Sequence, residues 1–436
     1  MNSLLPLKKA RVVWILVNSL FLAFLAFPVH AEERRLTLQE ALDLASNRLD
    51  VEAALADASA ASHEAESVRR LARLPQLSVE AAYQELDEAR SLATPIGNLN
   101  LGPAGTRSTR FELLQPLYDP AVRGRKDRAA ALAATASKHL AERVRHEITA
   151  EAGLAFLDVL RIDARLNAVR AFLKSVDGRA DQVTAWVEEG RALQADLMRI
   201  RLATEDARLA EFQLLKQRRV ALANLVRTLG LPESSRLEPT LGESWTTEVN
   251  EDGVAIAKAL ANRPDLAALA AEQEARQFEA AGIRAERLPR LDARVAWEHL
   301  DPSPFTRSDV LESTIAITWK PFANGTRGPR AAAVDERRRG TVARLEEARR
   351  GVRVEVLAAL ADIAVATEAV EVRRADVERA SETLRVESER YEAGRSTLDD
   401  VLEDEAALRD RMAAAELAAL DHTAGWLLYR LAVGAF

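Results

Sequence analysis

The acids that follow Gly394 are the chain's most suggestive polar group. Asp399 and Asp400 open a periodic stretch, and Glu403 follows three residues after Asp400. On a helix that spacing lets Asp400 and Glu403 face one direction. The same acids have a plainer use, because a carboxylate in a first turn caps free N–H groups and offsets the helix dipole. Ser396 and Asp399 fit that use well. Asp196 stands in the corresponding place after Gly190, and Arg191 and Arg395 directly follow the two glycines. Other chemistries find little footing. The six histidines at 30, 63, 139, 146, 299 and 422 are scattered. His139 and His146 could share a helix face, but zinc needs roughly three or four ligands. Glu298, His299 and Asp301 read as an ordinary surface loop at a strand end. The absence of cysteine removes disulfides, thiolate metal sites, thiol nucleophiles and a lipidated cysteine together. No P-loop, GxSxG, HExxH or dinucleotide fingerprint is present. Neither an enzyme nor a cofactor is expected.

The elements that would carry these residues begin with an export signal. Lys8, Lys9 and Arg11 precede an apolar run from Val12 to Phe27, and Val29-His30-Ala31 is a small-x-small cleavage site. Residues 1–31 therefore read as a signal peptide, with the mature chain starting at Glu32. Beyond it no segment is apolar enough to be a membrane-spanning helix, so a membrane location would have to rest on strands. A net charge of −7 gives no sign of a nucleic-acid partner. The mature chain is a duplication. Arg70-Leu-Ala-Arg-Leu-Pro-Gln-Leu77 recurs as Arg284-Ala-Glu-Arg-Leu-Pro-Arg-Leu291, Pro116-Leu117 as Pro321-Phe322, Arg123-Gly124 as Arg327-Gly328, and Glu189-Gly190-Arg191 as Ala393-Gly394-Arg395. The order is preserved, which places a first repeat at 32–230, a linker at 231–253 and a second repeat at 254–436.

Each repeat has one plan. An opening helix of about 35 residues ends where proline stops the periodicity, near Pro75 and Pro289. Two alternating segments follow, giving β-hairpins over 76–116 and 290–321. Leu77, Val79, Ala81 and Tyr83 oppose Gln76, Ser78, Glu80 and Gln84. Leu311, Ile315, Ile317 and Trp319 oppose Glu312, Thr314, Thr318 and Lys320. Period two is a strand signal, and apolar-out, polar-in alternation at this length suits a lipid-facing barrel. The remainder is long helix, reversing near residues 190 and 394, with narrow 3-4 seams such as Leu398, Val401, Glu405, Leu408 and Met412. The fold class is mainly α with a small β part. Four strands cannot close a barrel in lipid, so subunits must combine.

At this point the chain resembles the TolC-type outer membrane efflux family. The resemblance spans nearly all of the mature chain. It is carried by LTLQEAL from Leu36, the two Leu-Pro junctions, the QPL and KPF strand exits, the duplication, and the tips VEEGRALQAD and YEAGRSTLDDVLEDE. It implies a homotrimer in the outer membrane of a Gram-negative bacterium, with a twelve-strand barrel in lipid and a helical tunnel in the periplasm. It also implies a periplasmic adaptor and an inner-membrane pump as partners. Carried over by position, Asp400 and Glu403 would line the narrowest point of the periplasmic mouth, with Asp399 and Asp196 as weaker candidates. Gly190, Arg191, Gly394 and Arg395 would meet the adaptor at the hairpin tips. The expected function is a gated passive exit duct. A secreted, soluble coiled-coil scaffold or adaptor is the alternative.

Overall fold

A computed structural model describes residues 34–46, 48–88, 91–100, 104–241, 250–303 and 307–436. The signal peptide read at 1–31 and residues 242–249 of the linker lie outside them. Helix α1 (Leu38–Ala45) starts at Thr37, whose N–H donates to the Glu40 carboxylate at 2.9 Å while its hydroxyl accepts from Glu40 N–H. That reciprocal cap satisfies two otherwise orphaned donors. The opening helix is not continuous. The chain breaks after Ala45 and resumes as α2 (Leu49–Leu71), which lets α1 turn its apolar side, Leu38, Ala41, Leu42 and Ala45, into the core while α2 buries little. The second repeat breaks likewise, between α5 (Asp252–Asn262) and α6 (Pro264–Ala285), where Pro264 lacks the N–H needed to continue one helix but begins another well.

Strands β2 (Gln76–Glu85), β5 (Gly105–Tyr118), β7 (Arg290–Asp301) and β8 (Asp309–Thr318) form one antiparallel sheet in the order β2-β5-β7-β8. The hairpins of the two repeats are thus joined through β5 and β7. The register settles which residues share a face. Val79, Phe111, Trp297 and Leu311 form one cross-strand row, and Leu77, Leu113 and Val295 continue that face. The alternate rows are polar: Glu80, Arg110 and Glu298, then Ser78, Glu112 and Glu312. Arg294 reaches Glu112 at 3.2 Å on this face. The apolar face is bare, with Leu311, Ile315 and Ile317 at 71%, 73% and 73% exposure. Among the described residues, β2 and β8 each pair on one side only. Two short pairings escape the alternation pattern. A ribbon of β3 (Ser91–Thr94) and β4 (Gly97–Asn100) stands in the first loop, and β1 (Arg34–Leu36) pairs in parallel with β6 (Leu237–Pro239), tying the start of the first repeat to the segment after it.

After a wide turn at Val122–Lys126, α3 (Asp127–Glu188) and α4 (Gln194–Thr228) make the first long hairpin; α7 (Arg327–Glu392) and α8 (Leu398–Val433) make the second. At 1.5 Å per residue α7 is on the order of 100 Å long. Helix α3 packs on α4 and on α8, and α8 packs on α7, so the four stand in a row with α4 and α7 at its ends. The main core lies midway along this row, where Phe156, Leu157 and Val159 of α3 meet Leu42, Leu225 and Leu427. The two end helices keep apolar residues in the open: Leu202, Leu209, Phe212 and Val220 on α4, and Val354, Val365 and Val372 on α7.

Candidate functional site

Both long hairpins reverse at a glycine in the left-handed region, Gly190 at φ 76° and Gly394 at φ 68°. A side chain there would strain the backbone. The following arginines close the turns in the same way: Arg191 N–H donates to Trp186 O at 2.7 Å and Arg395 N–H to Arg390 O at 2.8 Å, each satisfying a terminal carbonyl. The two tips lie together. Trp186 and Tyr391 sit with ring centroids 5.7 Å apart, and Leu197, Ile200 and Leu398 share one buried cluster with Val176 and Val183. Arg191 covers the Trp186 ring at 5.2 Å and pairs with Glu189, whereas Arg395 makes no ion pair among the described residues.

The acids have distinct surroundings. Asp400 caps α8: its Oδ2 accepts from Thr397 N–H at 3.0 Å and from the Thr397 hydroxyl at 2.7 Å, while its own N–H returns to Thr397 Oγ1. The Thr397 hydroxyl, the Thr397 amide and Ser396 together hold its carboxyl below the usual aspartate range. Asp196 caps α4 through Leu193 N–H at 3.2 Å. Arg199 reaches both Asp196 and Asp399 at 3.4 Å, joining the first turns of α4 and α8. Glu403, one turn beyond Asp400, is exposed and makes no ion pair among the described residues.

Two further acids belong to this region, Asp404 and Glu405. Asp404 is raised above its ordinary value, by burial first and then by Glu387, Glu403 and Asp400 around it. The acids after Gly394 therefore repel one another within a single chain. Deeper in the seam, Glu405 is buried and meets Arg179 of α3 at 2.7 Å and Ser175 at 3.0 Å, with Arg179 also near Ser388 of α7. This cluster ties the two hairpins above the tips. The seam spacing marks Glu405 as inward-facing, but its partners lie far away in sequence. Away from the tips, His299 is occupied by Asp309 at 2.9 Å.

A four-strand sheet with a bare apolar face is joined to a row of helices about 100 Å long, an architecture shared with solved outer-membrane channels. Solved structures of that architecture match nearly the whole chain. The likeness to a membrane protein from Pseudomonas aeruginosa has TM-score 0.76 at 21% identity, over 91% of this chain and 90% of that one. For the Campylobacter jejuni CmeC outer membrane channel it is 0.76 at 14% identity, over 91% and 85%. For the Neisseria gonorrhoeae MtrE outer membrane channel, solved in its open state, it is 0.74 at 18% identity, over 91% and 89%. Identities this low speak to the fold. At the level of sequence, residues 255–431 match the family described as Outer membrane efflux protein. No curated protein matches the chain. The fold places it among outer-membrane channels, with a small strand part and a large helical body.

Proposed function

We propose that three copies of this chain form a gated passive exit duct for a tripartite efflux or type I secretion system. The observation that supports it is the pair of open edges. Among the described residues, strands β2 and β8 end the sheet with unpaired backbone, which hydrocarbon does not tolerate. Helices α4 and α7 end the helical row with exposed apolar residues at the spacing of a coiled-coil seam. Threefold repetition joins β8 to the next β2 and α7 to the next α4, giving a twelve-strand barrel and a closed helical wall. The tips then form the periplasmic mouth. Each acid after Gly394 becomes a ring of three, and Asp400 and Glu403 make stacked rings. Capping α8 uses Oδ2 of Asp400 and leaves its charge in place. Like charges crowded in a narrow mouth attract cations. The resting mouth is thus tight, weakly cation-selective and blocked by multivalent cations. A periplasmic adaptor that docks at Gly190, Arg191, Gly394 and Arg395, and prefers the separated tips, opens it by population shift, while the inner-membrane pump supplies the energy.

Single-channel recording in a planar bilayer tests this, comparing wild type with Asp400→Ala combined with Glu403→Ala. Loss of cation preference and of multivalent block, with assembly intact, is the expected result. Wild-type behaviour in the double variant would reduce both acids to helix-capping residues.

A further inference from the structure

We propose an anionic phospholipid site at the junction of β8 with α7, on the periplasmic rim of the sheet, resting on the outer-membrane duct proposed above. The two repeats differ there in one informative way. In the first repeat, Arg73 lies two residues before Pro75 and pairs with Asp127 at 3.3 Å. In the second, Arg287 occupies the same place before Pro289. The residue in register with Asp127, three beyond Arg327-Gly328 as Asp127 is three beyond Arg123-Gly124, is Ala331. The acid is gone. In its place is a hollow of about 430 Å³ lined by Arg284, Arg287, Phe322, Arg327, Ala331 and Asp335. Arg284 is neutralised by Asp335. Arg327 points its guanidinium at the carbonyls of Lys320 and Pro321, and its charge stays unbalanced. The Arg287 guanidinium is exposed and has no hydrogen bond or ion pair among the described residues.

The hollow adjoins an apolar surface that water does not favour. Phe322 is 78% exposed and Trp319 62% exposed, and Trp319 Nε1 donates to Arg287 O at 3.0 Å, which fixes the indole beside the cations. Exposed aromatics at strand ends belong at the headgroup level of a bilayer. Unpaired arginines at that level recognise phosphate, bidentately and with charge assistance. The ligand class is therefore a phosphodiester headgroup whose acyl chains run up past Trp319 along the apolar face of β8, the inner-leaflet phospholipid of the outer membrane. In the first repeat the corresponding cation is consumed by Asp127, so the site occurs once per chain.

Native mass spectrometry of the detergent-purified assembly with added phosphatidylglycerol tests it. Wild type and Arg73→Ala should each retain one lipid per chain. Arg287→Gln should cut retention about fivefold with assembly mass and conductance unchanged, and Ala331→Asp, which restores the acid of the first repeat at a position buried against Ala280, Ile283 and Val334, about tenfold. Inorganic phosphate at equal concentration should not displace the lipid. Equal retention by wild type and Ala331→Asp would overturn the site, and complete displacement by phosphate would make it a free-anion site. Loss of assembly in both variants would turn the hollow into a subunit contact. A wild-type protein that neither assembles nor conducts would instead count against the duct itself.

Discussion

At the scale of single residues, three carboxylates on α8 show how one chemical group serves different ends in different surroundings. Glu405 is buried against Arg179, and removing one partner of a buried pair strands the other charge. Arg179→Ala should therefore destabilise the hairpin pair by about 3–5 kcal/mol, read as a lower midpoint of helical unfolding in urea. Joint replacement by Arg179→Met and Glu405→Leu should recover most of that loss. Asp400 is exposed, and its effect depends on pH. Its folded value lies below the ordinary one, so its contribution is complete above about pH 4 and is lost as pH falls through the depressed value. The gap in tip stability between wild type and Asp400→Ala, measured by amide exchange around residues 397–403, should be widest at neutral pH and close in acid. Asp404 has the opposite sign. Its raised value marks a penalty present at neutral pH, so Asp404→Asn should protect the same amides at pH 7. Spacing alone showed where these acids stand on the helix. It did not show that Asp400 would be committed to Thr397, because Ser396 and Asp399 already fitted the capping role.

At the scale of elements, long regular patterns were readable and short or interrupted ones were not. Period-two alternation over ten or more residues revealed the four strands β2, β5, β7 and β8, because each has one face that must differ from the other. The ribbon of β3 and β4 and the parallel pair of β1 with β6 contain three or four residues per strand, too few to display a period. The breaks after Ala45 and before Pro264 were hidden for another reason. Helical periodicity resumes at once beyond each, although Ser46-Asn47-Arg48 and Asn262-Arg263-Pro264 mark the interruptions. The sheet carries a sharp prediction of its own. Ile315 and Thr314 are neighbours on opposite faces of β8. Ile315→Arg places a charge on the apolar face and should cost about 2–4 kcal/mol if it lies near the bilayer midplane. Thr314→Arg puts the same charge on the polar face, beside Glu312 and opposite Arg294, and should cost less than Ile315→Arg. Folding into lipid vesicles, followed by the heat-modifiable gel shift, separates the two variants. Equal loss in both would contradict the assigned faces.

For the whole molecule the question is what covers the two ends of the helical row. Leu202, Leu209 and Phe212 on α4 are 63%, 57% and 69% exposed, and Val365 on α7 is 70% exposed. A chain of this length does not leave such stripes in water on an isolated subunit without cause, since contiguous exposed apolar surface marks an interaction face. The stripes lie on opposite ends of the row, so a copy that buries one must present the other. That is a heterologous contact, which either closes into a ring or runs on as a filament. The sheet resolves the choice, because the same copies must also seal β2 against β8 within one barrel. Leu209→Glu with Phe212→Glu should therefore abolish the closed assembly while leaving each chain helical. Mass measurement in detergent is expected to give three chains for wild type and one for the double variant, with circular dichroism at 222 nm unchanged within about 10%, because neither residue lies in the buried clusters that hold the hairpins together. Adding Val372→Lys on α7, as many residues from Gly394 as Phe212 is from Gly190, should return part of the assembly, since a Glu–Lys pair across the seam offsets the lost burial. A double variant that still measured as three chains would place the contact elsewhere on the row, and the α4-to-α7 closure would have to be given up.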